Sequence, residues 1–323
     1  MSNVLSNKNG IISFQEITSG SYAFLWQIIE GGYKLLEGST HKAFLNGNFV
    51  DSNDAWLVRK TDEPSFSAHR YTPLSKATLH REFARLYSDE SVIKFANKYG
   101  TLGHLEMVAS SIGGKISYAE SLTLWKNESR DMGRLLTIWD MAVRGDAGKL
   151  GQLVNWPNAQ RVLIHAQMIY DQDHREWRIK PWSLSDRAIP LGVFGATVAT
   201  DDENGAILSR WRIHDVVDPA KYYVLKELNE KLKEHVAPKV FLPEDKNATP
   251  HKIYLVPDSL LAALWVLFLM EVTGRTRVRR CDNCGNWKEL KYNRPVFYCS
   301  IACKQAAYRK RKKGETAITQ TRV

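Results

Sequence analysis

The chain has 323 residues and a mass of 36.9 kDa, with 45 Lys and Arg against 35 Asp and Glu, a formal net charge of +10 and a pI near 9.3. Its length exceeds one ordinary domain and fits two, or one large domain with an appendage, while 44% hydrophobic and 11% aromatic content excludes wholesale disorder. The N-terminal stretch MSNVLSNKNG shows no secretory signal, and the apolar run from Leu260 to Met270 falls short of the roughly 18 to 20 residues that span a bilayer, so a cytoplasmic protein is expected.

In chain order, GIISFQEI and AWLVRKT read as short strands around a helix from Ser21 to Leu36, and NGNFVDSND reads as loop. After Pro73, Leu79, Phe83, Leu86 and Tyr87 recur at helical spacing. Ser88 then caps a second helix with Val92, Phe95, Ala96 and Tyr99 on its apolar face, closed by Gly100. Ser117 to Glu120 has the form of a capping box, and behind it Trp125, Met132, Leu136, Trp139 and Val143 share one face of a long helix ending near Gly145.

Residues 158 to 170 fit either a helix or a buried strand. EWRIKPW, GVFGATVA and ILSRWRI predict strands, with Asp201-Asp202-Glu203 and Asn204-Gly205 forming a polar turn between two of them. Pro219 to Val236 returns to helix, with Tyr222, Leu225, Leu228 and Leu232 inward; KVFL and KIYLV predict two more strands. Asp258 is the expected N-cap and Gly274 the terminator of LLAALWVLFLMEV, a helix apolar all round that must be buried on all sides. No internal repeat is visible.

Charge and cysteine both concentrate at the end of the chain. From Glu271 onward there are 14 basic and four acidic residues, so residues 1 to 270 are neutral by count, and all four cysteines fall in the same basic segment. Their order is Cys281-x2-Cys284-x14-Cys299-x3-Cys303. Paired thiolates at such spacings suit a tetrahedral soft-ligand site, which predicts one structural zinc ion; an all-thiolate closed site leaves no position for catalytic water. A knuckle with Gly285 at its turn, a hairpin from Trp287 to Phe297 and a helix carrying the last ligand make a treble clef. Arg275, Arg277, Arg279 and Arg280 precede the first ligand. Lys304, Gln305, Tyr308, Arg309, Lys310, Arg311, Lys312 and Lys313 follow the last, a density that a phosphate backbone rewards through counterion release.

The segment RRCDNCGNWKELKYNRPVFYCSIACKQAAYRKRKK resembles the C-terminal treble-clef zinc module of many bacterial proteins. It is related in style to the CGNR zinc finger of bacterial stress-response transcription regulators, in which a mostly helical ABATE-type domain, proposed to sense a ligand, precedes a DNA-binding finger. The close match covers about residues 279 to 313. It departs from the family at the fourth ligand, where Cys303 is followed by Lys304-Gln305, and the CGN at 284 to 286 stands at the second ligand instead. The resemblance implies that Cys281, Cys284, Cys299 and Cys303 hold zinc and that the helix from Lys304 onward contacts DNA.

No catalytic constellation stands out. His165, Asp171, Asp173 and His174 are too loosely spaced to specify a metal or acid-base site, and no phosphate-loop pattern occurs. Trp125, Trp139 and Trp265, at helical spacing, read as core or pocket wall, and a pocket among them is the natural place for a small ligand if the body senses one. The expected protein is therefore α+β. Residues 1–274 form a mostly helical body with some strands, regulatory or dimerising; residues 275–313 form the zinc finger; and residues 314–323 form a disordered tail. It is expected to be a non-enzymatic bacterial regulator that binds nucleic acid, double-stranded DNA first, with a small-molecule effector and a homodimer compatible with the layout. The alternatives are a protein- or RNA-docking zinc module, and an enzyme with an unrecognised site in the body.

Overall fold

The structure, a computed structural model, describes residues 24–36, 41–45, 48–60, 68–110, 115–165, 167–171, 176–180, 195–241, 252–290 and 297–312. The first elements are β1 (Trp26–Ile29), β2 (Tyr33–Leu36), β3 (His41–Leu45), β4 (Asn48–Asp51), β5 (Trp56–Arg59) and β6 (Ala68–Tyr71). A 3-10 turn at Pro73–Ser75 leads to α1 (Leu79–Phe83) and α2 (Asp89–Tyr99), then to β7 (Glu106–Ser110), β8 (Ile116–Ser121) and the long α3 (Leu122–Arg144). After α4 (Ala147–Leu150) come β9 (Val154–Asn158), β10 (Arg161–His165), β11 (Gln167–Asp171), β12 (Glu176–Lys180) and β13 (Gly195–Thr200). The body closes with α5 (Asp201–Leu208), α6 (Val217–Lys233), β14 (Val236–Phe241), β15 (Lys252–Pro257) and α7 (Leu260–Val272). The cysteine segment supplies β16 (Val278–Arg280), β17 (Trp287–Glu289) and α8 (Ile301–Lys312).

Every described strand pair is antiparallel. Six strands form one sheet in the order β2-β5-β8-β7-β3-β4, three form another in the order β13-β10-β9, and β1-β6, β11-β12, β14-β15 and β16-β17 are separate pairs. The α+β class holds. Strand is more evenly mixed with helix through the body than a mostly helical unit would have it.

Helix α7 is the central beam that its composition requires. Leu260 to Phe268 and Met270 are buried along it, and α1, α6, β15 and the Pro73–Ser75 turn pack around it. The Ser259 hydroxyl accepts from the Ala262 amide to start the helix, and Gly274 at φ 73 lies just past its end. The N-cap is thus Ser259. The expected cap, Asp258, pairs with His235 at 3.0 Å instead. Helix α3 packs on α6 and α1, with Trp125, Met132 and Leu136 buried as their spacing predicts; Gly145 at φ 68 supplies its left-handed terminus. Helix α2 keeps its Ser88 cap and its inward Val92, Phe95, Ala96 and Tyr99.

Other expectations give way. The helix expected over Ser21 to Leu36 is replaced by β1 and β2, because Gly31 and Gly32 sit at φ 92 and 76 and turn the chain between them. A side chain at residue 32 would also collide with the Asn97 amide oxygen, which accepts from the Tyr33 backbone amide at 2.7 Å. NGNFVDSND contains β4, residues 158 to 170 contain β10 and all but the last residue of β11, and ILSRWRI forms no strand, its first two residues ending α5. Asp201, Asp202 and Glu203 are the first turn of that helix, not a hairpin turn. The Thr200 hydroxyl accepts from the Glu203 amide, and the carboxylates suit the helix's positive end.

Ser117 to Glu120 lies in β8, and Ser121 caps α3. Val143 and Leu225, expected inward, are exposed, whereas Tyr223 and Val224 are buried. GIISFQEI and the tail from residue 313 lie outside the described residues.

Candidate metal centre

The four cysteines converge. One sulfur from each of Cys281, Cys284, Cys299 and Cys303 lies within 4.8 Å of every other, and among the described residues this is the group of His, Cys, Asp and Glu close enough to share an ion. Cys284 and Cys299 are 3.5 Å apart and Cys299 and Cys303 are 3.4 Å apart, far beyond the roughly 2.05 Å of a disulfide. A tetrahedron with zinc-sulfur bonds of about 2.3 Å has sulfur-sulfur edges of about 3.8 Å, so the donor set fits a tetrahedral thiophilic ion after shifts of at most about an ångström.

Short local bonds build this cluster. Strands β16 and β17 pair antiparallel, with Arg280 opposite Trp287, so the knuckle from Cys281 to Asn286 is their connection. Cys281 donates its amide to the Asn286 carbonyl at 2.8 Å, and Gly285, at φ 70, donates to the Cys281 carbonyl at 3.0 Å. On the far side, Asp282 accepts from the Phe297 amide and donates its own amide to the Phe297 carbonyl, tying the two cysteine pairs together. Ser300 accepts from the Cys303 amide and starts α8, which carries the fourth sulfur on its first turn. The strand after the knuckle pairs backward with β16. The expected hairpin from Trp287 to Phe297 runs through residues 291 to 296, which lie outside the described residues.

The thiols titrate as a set. Burial opposes ionisation of Cys281, but amides of Cys284, Cys299 and Asn283 outweigh it and bring that thiol down to about 6. Burial and the neighbouring thiols push Cys299 up to about 12. Four sulfurs this close cannot all carry charge by themselves; a dication held by them would reverse that balance and favour the thiolates.

The basic residues divide by position. Lys304, Gln305, Tyr308, Arg309, Lys310 and Arg311 are exposed on α8, while Ala307 is buried on its inner side. Arg279 faces Asp282 at 3.8 Å, and Arg280 donates to the Gly285 carbonyl at 3.1 Å. Lys313 lies outside the described residues.

An internal ion network escapes sequence reading. Arg81, 4% exposed on α1, donates to Asp140 of α3 at 2.7 and 3.0 Å and to Glu271 of α7 at 2.8 Å, and its guanidinium lies 3.7 Å from the centre of the Trp287 ring. His80 meets the same Glu271 at 2.8 Å. Burial holds the His80 ring below its ordinary range, whereas Arg81 and His80 hold Glu271 below the usual carboxylate range against its own burial. The only sequence signal was a His-Arg pair inside an amphipathic helix, which a solvated face explains equally well.

Of the other candidates, Trp125 is sealed in the core, donating to Glu120 at 2.9 Å, and Trp139 packs partly buried against the same core. Trp265 lines a cleft of about 370 Å³ with His104, Leu124 and Lys231. Trp125 and Trp265 are thus core residues, with Trp139 packed against the same core, and the three do not line one pocket. His165 is buried on β10 and Asp171 pairs with Arg178 at 3.0 Å, while Asp173 and His174 lie outside the described residues. No helix among the described residues is long and apolar enough to cross a membrane. Compared with known proteins, the chain matches no family model, no curated protein and no solved structure.

Proposed function

We propose that the chain is a zinc-holding nucleic-acid-binding protein, a DNA-binding regulator whose reader is the cysteine segment and whose body positions or controls it. The observation that carries this reading is the placement of α8. Its first turn holds the fourth sulfur of the cluster, and its outer surface presents Lys304, Arg309, Lys310 and Arg311 together with Tyr308, which is 62% exposed. A metal at the cluster would fix that helix on a segment with little core of its own. Lysine and arginine heads along one exposed helix suit a phosphate backbone, and Gln305 and Tyr308 suit base contact. The resemblance to the CGNR zinc finger points in the same direction.

The test is a mobility shift of the zinc-loaded protein on duplex DNA across a salt series. Binding that weakens steeply with salt, and that is lost in a chain ending at Gly274, supports the reading. Absence of binding at low salt overturns it.

Ile301, 77% exposed at the start of α8, favours a second reading in which the segment docks on a protein or RNA partner. Ile301→Ala separates the two, since it should leave duplex binding unchanged and weaken a protein contact.

A further inference from the structure

The cleft of about 370 Å³ beside Trp265 lies where the loop before β7, α3, the end of α6 and the start of α7 meet, at the small end of the range of small-molecule sites. Leu124, Leu261 and Ala262 give it an apolar wall. Three further lining residues each keep a buried polar atom with no hydrogen-bond partner among the described residues: Trp265 Nε1, Glu128 Oε2 and His104 Nε2. Trp265 itself is only 1% exposed. Buried polar groups are nearly always paired, so three such atoms around one cleft point to a ligand.

The two imidazoles of the cleft are braced from behind. The Glu120 carboxylate accepts from the amides of Leu102, Gly103 and His104, and the Leu102 carbonyl accepts from the Leu261 amide at 3.1 Å, which fixes the loop that carries His104. His235 has its Nδ1 3.0 Å from the Asp258 carboxylate, which leaves Nε2 available, and its ring meets that of His104 edge to face at 5.6 Å. Polar groups held in this way need little ordering when a ligand arrives.

Donor and acceptor chemistry then defines what fits. An indole N–H only donates, so the ligand must carry an acceptor; a carboxylate only accepts, so it must also carry a donor. The charge of Glu128 is already answered, because Lys231 meets its other oxygen at 2.6 Å. A cationic ligand at Glu128 would crowd Lys231, and an anionic one would face the carboxylate. Lys231 also lies over the Trp265 ring, 5.3 Å from its centre, and its side chain is about a quarter exposed, so a shift of this flexible arm admits a ligand to both residues.

We propose that this cleft binds a small uncharged molecule bearing both a donor and an acceptor, of the carboxamide or nucleobase kind, which accepts from the Trp265 indole and donates to Glu128 beside His104 and His235. The site stands whether or not α8 meets nucleic acid.

Titration of the full zinc-loaded, ¹⁵N-labelled chain with nicotinamide, adenine and nicotinate tests it, followed by calorimetry and by the Trp265 indole resonance, which is assigned by its loss in Trp265→Phe. Nicotinamide or adenine is expected to bind saturably and to move that resonance, with nicotinate, which has a carboxylate in place of the amide, at least about tenfold weaker than nicotinamide. Glu128→Ala and Trp265→Phe should each weaken binding by a similar factor, and Glu90→Ala, on exposed α2 away from the cleft, should leave it unchanged. Either cleft variant decides the matter provided its circular dichroism is native, and Glu128, on the outer part of α3, is the safer of the two. Four results overturn the proposal: neither uncharged probe binds, nicotinate binds as tightly as nicotinamide, binding persists undiminished in a natively folded cleft variant, or binding leaves the Trp265 resonance where it was.

Discussion

Arg81 lies with its guanidinium 3.7 Å from the centre of the Trp287 ring, and the two residues belong to different parts of the chain, a helix of the body and a strand of the cysteine segment. Three anchors fix the arginine: Asp140 from α3, Glu271 from α7, and the indole above it. A guanidinium this buried is poorly hydrated, which puts a cation-π contact at the strong end of its range, about 2 kcal/mol. Trp287→Ala is therefore expected to lower the stability of the whole chain by about that amount, with Trp287→Phe recovering part of it. Urea unfolding followed by far-ultraviolet circular dichroism measures both. An unchanged midpoint in Trp287→Ala would show that body and knuckle are energetically separate.

Metal removal should reach the body by the same route. Were residues 1–274 and 275–313 energetically separate units, the effect would stop at the finger. Contacts of Arg81 with Trp287 and of Arg85 with Gly285 cross the joint, so a knuckle that loses its ion releases them. Cys303→Ser is expected to bring bound zinc, measured by elemental analysis, from one ion per chain to a small fraction. It should also lower the body's unfolding midpoint about as far as Trp287→Ala does. A zinc content unchanged by the substitution would contradict the assignment of the four thiols.

Acid should destabilise the fold in two stages. His80 is completely buried and its folded pKa is lowered from 6.5, so the unfolded chain takes up its proton first and stability falls as pH drops below about 6.5. Glu271 has a folded pKa lowered from 4.5, so its contribution is present above 4.5 and is lost as pH falls through the lower folded value. Glu120, raised from 4.5 by burial, works in the opposite sense and reduces the net slope. His80→Gln, which can still donate to Glu271, is expected to flatten the decline between pH 6.5 and 4.5 while leaving the lower stage. Chemical denaturation at a series of pH values reads this directly, and a slope identical to the parent would remove His80 from the account.

Local signals were legible wherever one helix or one loop contains all the partners. Ser88, Gly145, Gly274 and the apolar α7 could be read because caps, terminators and all-round hydrophobicity are properties of contiguous residues. The cysteine cluster was legible for a related reason, since two short spacings place four ligands in reach of one point. Arg81 and Glu271 were not, because 190 residues separate them and each alone resembles a solvated charge. The pair Gly31-Gly32 did carry a local signal against a helix, and apolar residues at mixed spacing hid it. Thr200 followed by three acids likewise has the form of a helix start, although Asn204-Gly205 suggested a turn.

Glu120 shows the same misreading with the largest consequence. As part of an apparent capping box it would serve its own helix; in the structure it projects from the end of β8 to the backbone of residues 102 to 104 and to the Trp125 indole. Its carboxylate accepts from the backbone amides of Leu102, Gly103 and His104 at 2.8, 2.6 and 2.9 Å and from the Trp125 indole at 2.9 Å. Trp125 and Glu120 are both fully enclosed, and water cannot replace the carboxylate without opening the core. Removing it strands four donors, each costing about 1 to 3 kcal/mol when buried without a partner. Glu120→Ala is accordingly expected to lose at least about 3 kcal/mol. Glu120→Gln should recover only part of this, because its amide nitrogen must face two of the donors that the second oxygen accepted. Trp125→Phe, which withdraws one donor and leaves the carboxylate its three amides, should cost less than Glu120→Ala. Urea midpoints for the three variants give the order, and a Glu120→Ala midpoint equal to that of the parent would mean that the carboxylate contributes nothing to the fold.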